Sequence, residues 1–249
     1  YVEQNFPPTS KTRMVELVNY LTASCNERIA QLPWMSDATK KRAKKKLDAI
    51  MKKIGYPDKW RDYSALKIDP KDPALTNLAR AQEFEVRRQL KMIGKAPDRT
   101  EWGMSPPTVN AYYNPSFNEI VFPAGILQPP QFDPTVDDAV NYGAIGMVIG
   151  HEITHGFDDE GRQYDEVGNL EDWWTPDDSK KFDEQAQKVV DQYNSYVAVD
   201  TLHVNGKLTL GENIADLGGL TIAYYAWKRS LVGKPAPQPI DGFTPEQRF

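Results

Sequence analysis

Apolar residues recur every three to four positions over long stretches of this chain, a spacing typical of helices with one buried face. The first such stretch covers residues 10–32 and ends at Pro33. Its apolar stripe consists of Met14, Leu17, Val18, Leu21, Cys25 and Ile29. Ser36 or Asp37 can cap a second helix, predicted over residues 37–54 and ended by the glycine that follows.

Further helices are predicted downstream, two of them from apolar positions on one side (residues 74–93 and 177–199) and one, over residues 137–157, from residues that are mostly apolar or small with no proline. They cover residues 74–93, 137–157, 177–199 and 209–231. The loop between the second and third of these helices holds Trp173 and Trp174, which we expect to pack into the core.

The period changes near residue 108, where two short runs of strand-forming residues flank a turn. These runs, 108–113 and 119–123, predict a β-hairpin. Asn110 and Ala111 lie in its first strand. That strand either binds an extended peptide through main-chain hydrogen bonds or has a structural role only. The expected fold is mainly α with a small β-hairpin or sheet (α+β), divided into a helical part (1–107) and a second domain (108–249).

A basic cluster occupies the second predicted helix: Lys40, Lys41, Arg42, Lys44, Lys45 and Lys46. It could dock an acidic partner, but a solvated helix face is the favoured interpretation. The formal net charge of −5 argues against a nucleic-acid-binding protein. With Cys25 as the single cysteine, neither an intrachain disulfide nor a cysteine-based metal site is possible. We find neither a membrane-spanning apolar run nor a signal peptide.

The two ends of the sequence predict a piece of a longer protein, truncated at both ends. The chain begins at Tyr1 without a methionine. Near the other end, Thr244, Pro245 and Gln247 form the pattern of a helix start with a capping box, and the sequence stops within a turn of it.

The clearest chemical signal is His-Glu-x-x-His at residues 151–155, within the helix predicted over 137–157. Residues four apart lie on one helix face, so His151 and His155 can bind one metal ion together. Glu152 then lies where its carboxylate can reach a water molecule on that ion. Two histidines with a neighbouring carboxylate base favour zinc-assisted hydrolysis.

A catalytic zinc site needs a third protein ligand. Apart from these two, the chain has one histidine, His203, which we expect to lie at the surface or in packing. Glu212 is the better candidate, on a separate predicted helix, with Asp216 one turn later on the same face. One of these two carboxylates can bind the metal while the other accepts the remaining N–H of a ligand histidine. The alternative is a solvated helix face.

Three residues near the motif have two interpretations each. Asp158 is either a hydrogen-bond partner that orients His155 or a polar residue at the helix end. Met147 and Val148 lie on the metal-facing side of the helix, one turn before His151. They either form an apolar pocket for a substrate side chain or belong to the core.

Four motifs resemble the neprilysin family of zinc endopeptidases, which includes endothelin-converting enzymes and bacterial oligopeptidases. They are Val109–Tyr113, Ile120–Pro130, His151–Asp159 and Gly211–Asp216. Their order and length make the resemblance specific, and it extends back to Tyr1. It implies a zincin fold of the thermolysin-like (gluzincin) type.

The resemblance also implies residue roles. His151, His155 and Glu212 correspond to ligands of one zinc ion, Glu152 to the general base, and Asp216 to the carboxylate that orients His151. Asn110 and Ala111 correspond to the strand that binds the substrate backbone. The pocket for the residue after the cleaved bond is implied to consist of Ile126, Phe132, Met147 and Val148.

Family members have a longer N-terminal helical lobe and a C-terminal segment with a histidine and an arginine that assist catalysis. These parts are expected in the same protein or in a separate chain. The lone cysteine favours a bacterial member. The function expected is cleavage of small peptides by metal-activated water. The alternatives are a catalytically incomplete metal-binding module and another zinc hydrolase such as an aminopeptidase.

Overall fold

The computed structural model describes residues 1–249 and divides them into two compact units. Unit 1 comprises residues 1–56 and 104–249, and unit 2 comprises residues 57–103. These bounds do not coincide with the boundary expected between residues 107 and 108, which stays a prediction about domain organisation. None of the helices combines the length and hydrophobicity that crossing a bilayer requires.

The chain is mainly helical with a small sheet, as predicted. The helices of unit 1 are α1 (Val2–Asn5), α2 (Pro8–Ala30), α3 (Asp37–Asp48), α5 (Asp138–Asn141), a π-helical segment (Tyr142–Gly146), α6 (Met147–His155), a 3-10 turn (Gly161–Gln163), α7 (Pro176–Asn194), α8 (Leu210–Ser230) and α9 (Pro245–Arg248). Its strands are β1 (Met51–Gly55), β2 (Tyr112–Asn114), β3 (Glu119–Pro123), β4 (Val197–Val199) and β5 (Leu202–His203). Unit 2 contains α4 (Ala74–Leu90).

The sheet of β1, β3 and β2 corrects one sequence prediction. Residues 49–54 were expected to continue the second helix, but α3 ends at Asp48 and β1 pairs in parallel with β3. β3 also pairs antiparallel with β2, which confirms the hairpin and leaves β2 at an edge. The first strand is shorter than predicted, because β2 begins at Tyr112 and Asn110 and Ala111 lie just before it. Hydrogen bonds to a strand far along the chain therefore override local helix propensity in β1.

The helix predicted over 177–199 is too long at its C-terminal end. α7 ends at Asn194, and the next residues form the short antiparallel hairpin of β4 and β5. All residues of these two strands are exposed. Alternating valines at 197 and 199 suit a strand as well as a helix, and the sequence pattern did not separate the two.

The core of unit 1 is one continuous apolar cluster in which α6 packs along α8 and α2 packs across α8. The stripe predicted on α2 is buried, and Trp173 and Trp174 are buried core residues, as expected. Consequently α6, which carries the motif histidines, is held by the best-packed part of the molecule.

Unit 2 departs from its predicted packing. The apolar stripe of α4 was expected to be buried, yet no residue of this helix is buried and Leu75 is 76% exposed. Ion pairs join Arg61 to Glu85 and Glu101, and Arg88 also bonds to these two carboxylates. These ion pairs thus join α4 to the rest of unit 2 without burial of its apolar stripe.

Candidate metal centre

The one-turn spacing within α6 brings the two motif histidines together. His151 and His155 project from the same face, with their Nε2 atoms 2.9 Å apart. Both rings are largely buried, with side chains 17% and 19% exposed. The two ring nitrogens therefore meet at the edge of the core, where one ion could contact both.

Glu212, in the first turn of α8, supplies the third atom. Its Oε2 lies 3.3 Å from His151 Nε2 and 3.8 Å from His155 Nε2. A triangle with these sides and the 2.9 Å histidine separation has a point roughly 2.0 Å from every corner, and this is the bond length of zinc to nitrogen or oxygen ligands. The structure thus brings together the three residues that the sequence proposed as ligands, as a possible metal site.

Hydrogen bonds on the far side of each ring set the histidine tautomers. His151 Nδ1 lies 2.8 Å from Asp216 Oδ1, and His155 Nδ1 lies 2.6 Å from Asp158 Oδ2. A carboxylate can only accept, so each Nδ1 is the donor and each neutral ring presents an unprotonated Nε2. Two lone pairs and a carboxylate oxygen then face one point, an arrangement that a cation would stabilise.

The charges around His155 act in both directions on its pKa. Burial lowers the pKa of the His155 imidazole, but the bond to Asp158 and the carboxylates of Asp158, Glu152 and Glu212 outweigh burial and raise it. The surrounding field therefore favours positive charge at this point, whether a proton or a metal ion carries it.

Glu152 is the buried carboxylate of the site, with 7% of its surface exposed. Burial raises its pKa, with the two histidines acting in the opposite direction, and its carboxylate accepts a hydrogen bond from the Tyr113 amide. Tyr113 belongs to β2, so the edge strand fixes the orientation of this carboxylate. A buried carboxylate with a raised pKa is suited to accept and release a proton.

The three candidate ligands open into a cavity of about 380 Å³, which lies within the range of small-ligand sites. β2 and the residues before it form one wall, and the turn after α6 forms another. The lining residues are Asn110, Ala111, Tyr112, Tyr113, Pro115, His151, Glu152, His155, Asp158, Glu160, Gly161 and Glu212.

Two family models cover much of the chain, and both describe Peptidase family M13. One matches residues 110–249, which include all the residues of the candidate site, and the other matches residues 1–57. The chain belongs to peptidase family M13.

Curated relatives support this assignment over the whole chain. An endothelin-converting enzyme homolog of Locusta migratoria is 42% identical over 100% of this chain and 35% of its own length. Endothelin-converting enzyme 1 of Homo sapiens is 42% identical over 100% of this chain and 33% of its own length. This M13 chain therefore spans about a third of the relatives that it matches.

Solved structures share the fold. Mycobacterium tuberculosis zinc metalloprotease Zmp1, in complex with an inhibitor, matches with a TM-score of 0.93 and 50% identity, over 100% of this chain and 38% of that one. PepO from Lactobacillus rhamnosis matches with a TM-score of 0.87 and 35% identity, over 100% of this chain and 39% of that one. The fold of the M13 chain is accordingly that of zinc metalloproteases, as the sequence predicted.

Close contact between α6 and α8 in this M13 chain explains how Glu212 reaches the histidines. A Cβ on Gly219 would lie 2.6 Å from His151 N, and one on Gly150 would lie 2.6 Å from Gly219 O. A Cβ on Gly218 would lie 2.6 Å from side-chain atoms of Thr154. The two helix backbones therefore touch where side chains would hold them apart, which places the first turn of α8 over the motif.

The four apolar residues expected around the substrate do not line the cavity of the candidate metal site. Ile126, Met147 and Val148 are partly buried and pack against the core. Phe132 is 2% exposed and lies beside a different, small cavity near Arg13. Their pocket role stays a prediction. His203 is exposed, with Nδ1 2.9 Å from the Asn194 carbonyl, away from the site.

The sequence did not single out some residues that the site uses. Tyr113 orients Glu152, and Gly161 donates its amide to Asp158 Oδ1 at 2.7 Å. The glycine at position 161 could have indicated the close approach, because any side chain there would place a Cβ 1.7 Å from the His155 carbonyl oxygen. The turn after α6 therefore folds tightly back on the helix end.

Proposed function

We propose that this chain carries the zinc centre of an M13 endopeptidase that hydrolyses peptide bonds in small peptides. One zinc ion is held by His151, His155 and Glu212. The observation that carries the proposal is the convergence of two histidine nitrogens and one carboxylate oxygen on one point beside the buried Glu152 carboxylate. Family membership and the similarity to zinc metalloproteases support it.

Bound zinc supplies Lewis acidity, which activates water and polarises a peptide carbonyl. Glu152 accepts a proton from the attacking water and delivers it to the departing amine. The raised pKa of Glu152 suits a group that holds this proton between the two events. Asp216 and Asp158 keep the His151 and His155 rings in the tautomer whose Nε2 is free to bind metal.

The substrate is proposed to bind as an extended strand beside β2. β2 is an edge strand, and Asn110 and Ala111 directly precede it in the cavity wall. Main-chain hydrogen bonds would hold the peptide without selecting its side chains. The expected preference for an apolar residue after the cleaved bond rests on Ile126, Phe132, Met147 and Val148.

The general-base assignment is tested with Glu152→Gln in the intact protein. We expect stoichiometric zinc but at least a ~100-fold loss of kcat on an internally quenched peptide, because the amide cannot take the proton. Glu184→Gln on the exposed face of α7 is the matched control and should retain kcat. Full activity in Glu152→Gln would refute the assigned base.

A metal-binding module without catalysis is the rival class, because the chain spans only about a third of its relatives. The two are separated by assaying peptide cleavage with and without chelator, for the chain alone and for the intact protein. Cleavage at an internal bond that stops with chelator supports the endopeptidase. Zinc binding without cleavage in the intact protein supports the module, and release of single terminal residues supports an aminopeptidase.

A further inference from the structure

Lys46 does not belong to the solvated basic face that the sequence suggested for its helix. Its neighbours Lys44 and Lys45 are exposed on α3, whereas Lys46 is 1% exposed. Its ammonium group lies near the rings of Tyr113, Phe157 and Trp173. A buried ammonium is costly unless it is fully hydrogen-bonded.

Two backbone carbonyls of the turn after α6 accept hydrogen bonds from this ammonium. Lys46 Nζ lies 2.6 Å from Gly161 O and 2.7 Å from Tyr164 O. Burial lowers the pKa of Lys46 to about 7, while the carboxylates of Asp158, Asp165 and Glu166 act to raise it. A residue of α3 thus binds the middle and the end of the turn of residues 158–164, which begins three residues after His155, a candidate metal ligand.

The segment held by Lys46 is the one that positions Asp158. The amides of Glu160 and Gly161 donate to Asp158 Oδ1 at 3.0 and 2.7 Å. The other oxygen, Oδ2, accepts from His155 Nδ1 at 2.6 Å. Lys46 binds the carbonyl of Gly161, the amide of the same residue binds Asp158, and Asp158 binds the His155 ring, so Gly161 links the lysine to the candidate ligand.

We propose that Lys46 is a positioning residue for the metal centre: it restrains the turn of residues 158–164 and thereby holds Asp158 against His155. This inference rests on the proposed zinc site. Removing the lysine would free the Gly161 peptide, loosen the Asp158 carboxylate and leave the His155 ring less constrained. An electrostatic role predicts the opposite sign, since removing a positive charge near the site would tighten the binding of a cation.

The test is zinc affinity by chelator competition in the intact protein. Lys46→Met keeps the apolar stem but removes charge and donors. We expect the zinc Kd to rise about tenfold or more, the usual effect of losing an outer partner of a ligand histidine. Lys41→Met, an exposed lysine of the same helix, is the control and should leave Kd within about twofold.

A double-mutant cycle with Asp158→Ala separates positioning from general destabilisation. If Lys46 acts through Asp158, Lys46→Met should change the zinc Kd by less than about threefold in the Asp158→Ala background. An equal loss in both backgrounds, an unchanged Kd or a lower Kd would overturn the inference. If Lys46→Met does not fold, Lys46→Gln replaces it in the same cycle.

Amide hydrogen exchange at Gly161 provides a readout that needs no metal. Lys46→Met should speed this exchange by about tenfold relative to Lys41→Met, because the turn opens locally more often. Failure of the wild-type protein to bind zinc would refute the proposed function, and unchanged exchange at Gly161 would refute the role of Lys46.

Discussion

At the residue scale, the two carboxylates behind the histidines are as informative as the candidate ligands themselves. Asp216 comes from α8 and Asp158 from the turn after α6, and each accepts a hydrogen bond from the Nδ1–H of one ring. The two carboxylates differ in exposure: the Asp216 side chain is 53% exposed and the Asp158 side chain is 6% exposed. The ring of His151 therefore depends on a partner that water can compete with.

Replacing Asp216 by asparagine tests this dependence. The neutral amide is a weaker acceptor for the Nδ1 proton, so we expect Nε2 to become a poorer ligand and the zinc Kd to rise roughly 10- to 100-fold. Zinc titration against a competing chelator measures the change. Asp191→Asn on α7 makes the same chemical change on an exposed helix face and should not alter Kd. Equal zinc affinity in Asp216→Asn and the wild type would contradict an orienting role.

Residues whose chemistry is local could be found from the sequence, and those with distant partners could not. His151 and His155 are spaced by one helical turn and Glu152 is next to His151, so their convergence follows from helix geometry. Lys46 lies in a run of six basic residues and looks like its neighbours. What distinguishes it is a pair of carbonyls 115 and 118 positions away, which no local pattern indicates.

At the element scale, contact between α6 and α8 sets the distance from Glu212 to the histidines. Gly219 is a point of close backbone approach, since a Cβ there would meet His151 N at 2.6 Å and Met147 O at 2.7 Å. Both are backbone atoms of the helix that carries the motif, so they cannot move without moving that helix. The helices must therefore separate to accept any side chain.

Gly219→Ala should consequently impair both stability and metal binding. We expect a loss of about 1–3 kcal/mol from overpacking, measured by denaturant unfolding, together with weaker zinc binding. Gly146→Ala, just before α6, is the control because its Cβ would meet nothing closer than 3.5 Å. A Gly219→Ala protein with normal stability and zinc affinity would show that α6 and α8 can accommodate a methyl group at this contact, which would contradict the prediction.

A second junction between elements joins the start of α3 to the start of α7 through Asp178. Its carboxylate accepts from Ser36 N at 3.0 Å and Thr39 Oγ1 at 2.6 Å. Burial alone would raise the pKa of Asp178, but hydrogen bonds from Ser36, Thr39 and Thr175 outweigh burial and lower it from 3.8 to about 2. The ionised form is therefore the one that stabilises the fold.

The stability that Asp178 contributes should be fully present above pH 3.8 and lost as the pH falls towards about 2. Asp178→Asn should lower the free energy of unfolding by roughly 1.5–3 kcal/mol at neutral pH, as expected for hydrogen bonds to a charged group. The difference from wild type should shrink below pH 3.8. Asp177→Asn, exposed in the same helical turn, is the control; a pH-independent difference for Asp178→Asn would be inconsistent with this assignment.

Helix or strand could be predicted correctly from the sequence where an element is long, and could not where it has only a few residues. The helix α2 has a long apolar stripe of consistent period and α8 is long, and the structure has both helices. β1 has five residues and begins three positions after α3 ends, and its state is decided by pairing with β3. α4 shows the limit of periodicity, because its stripe is amphipathic but exposed.

At the scale of the whole molecule, metal binding and folding of unit 1 should be coupled. The candidate ligands come from α6 and α8, which pack together in one core cluster. Such a site is assembled only in the folded state, so a ligand that binds it stabilises that state by mass action. Zinc at about 100 times its Kd would contribute about 2.7 kcal/mol.

We therefore expect zinc to raise the thermal unfolding temperature by roughly 5–10 °C over the chelator-treated protein, as a gain of that size predicts. Differential scanning calorimetry measures it. Magnesium is the control cation, since it prefers oxygen ligands and should give a much smaller shift. Glu212→Ala should abolish most of the zinc effect, and an undiminished shift in that variant would place the bound ion elsewhere.

The π-helical segment of residues 142–146 sets the rotation of α6 about the helix axis relative to α5. On its N-terminal side, Asp137 and Asp138 are tied by ion pairs to Arg248 and Arg13; on its C-terminal side come the two histidines. Each residue added to a helix turns everything beyond it by about 100°. Deleting one residue from this segment would keep the helix continuous but rotate both imidazoles away from α8. The π-helical turn therefore sets the orientation of the two histidines relative to the ion-paired start of the helix.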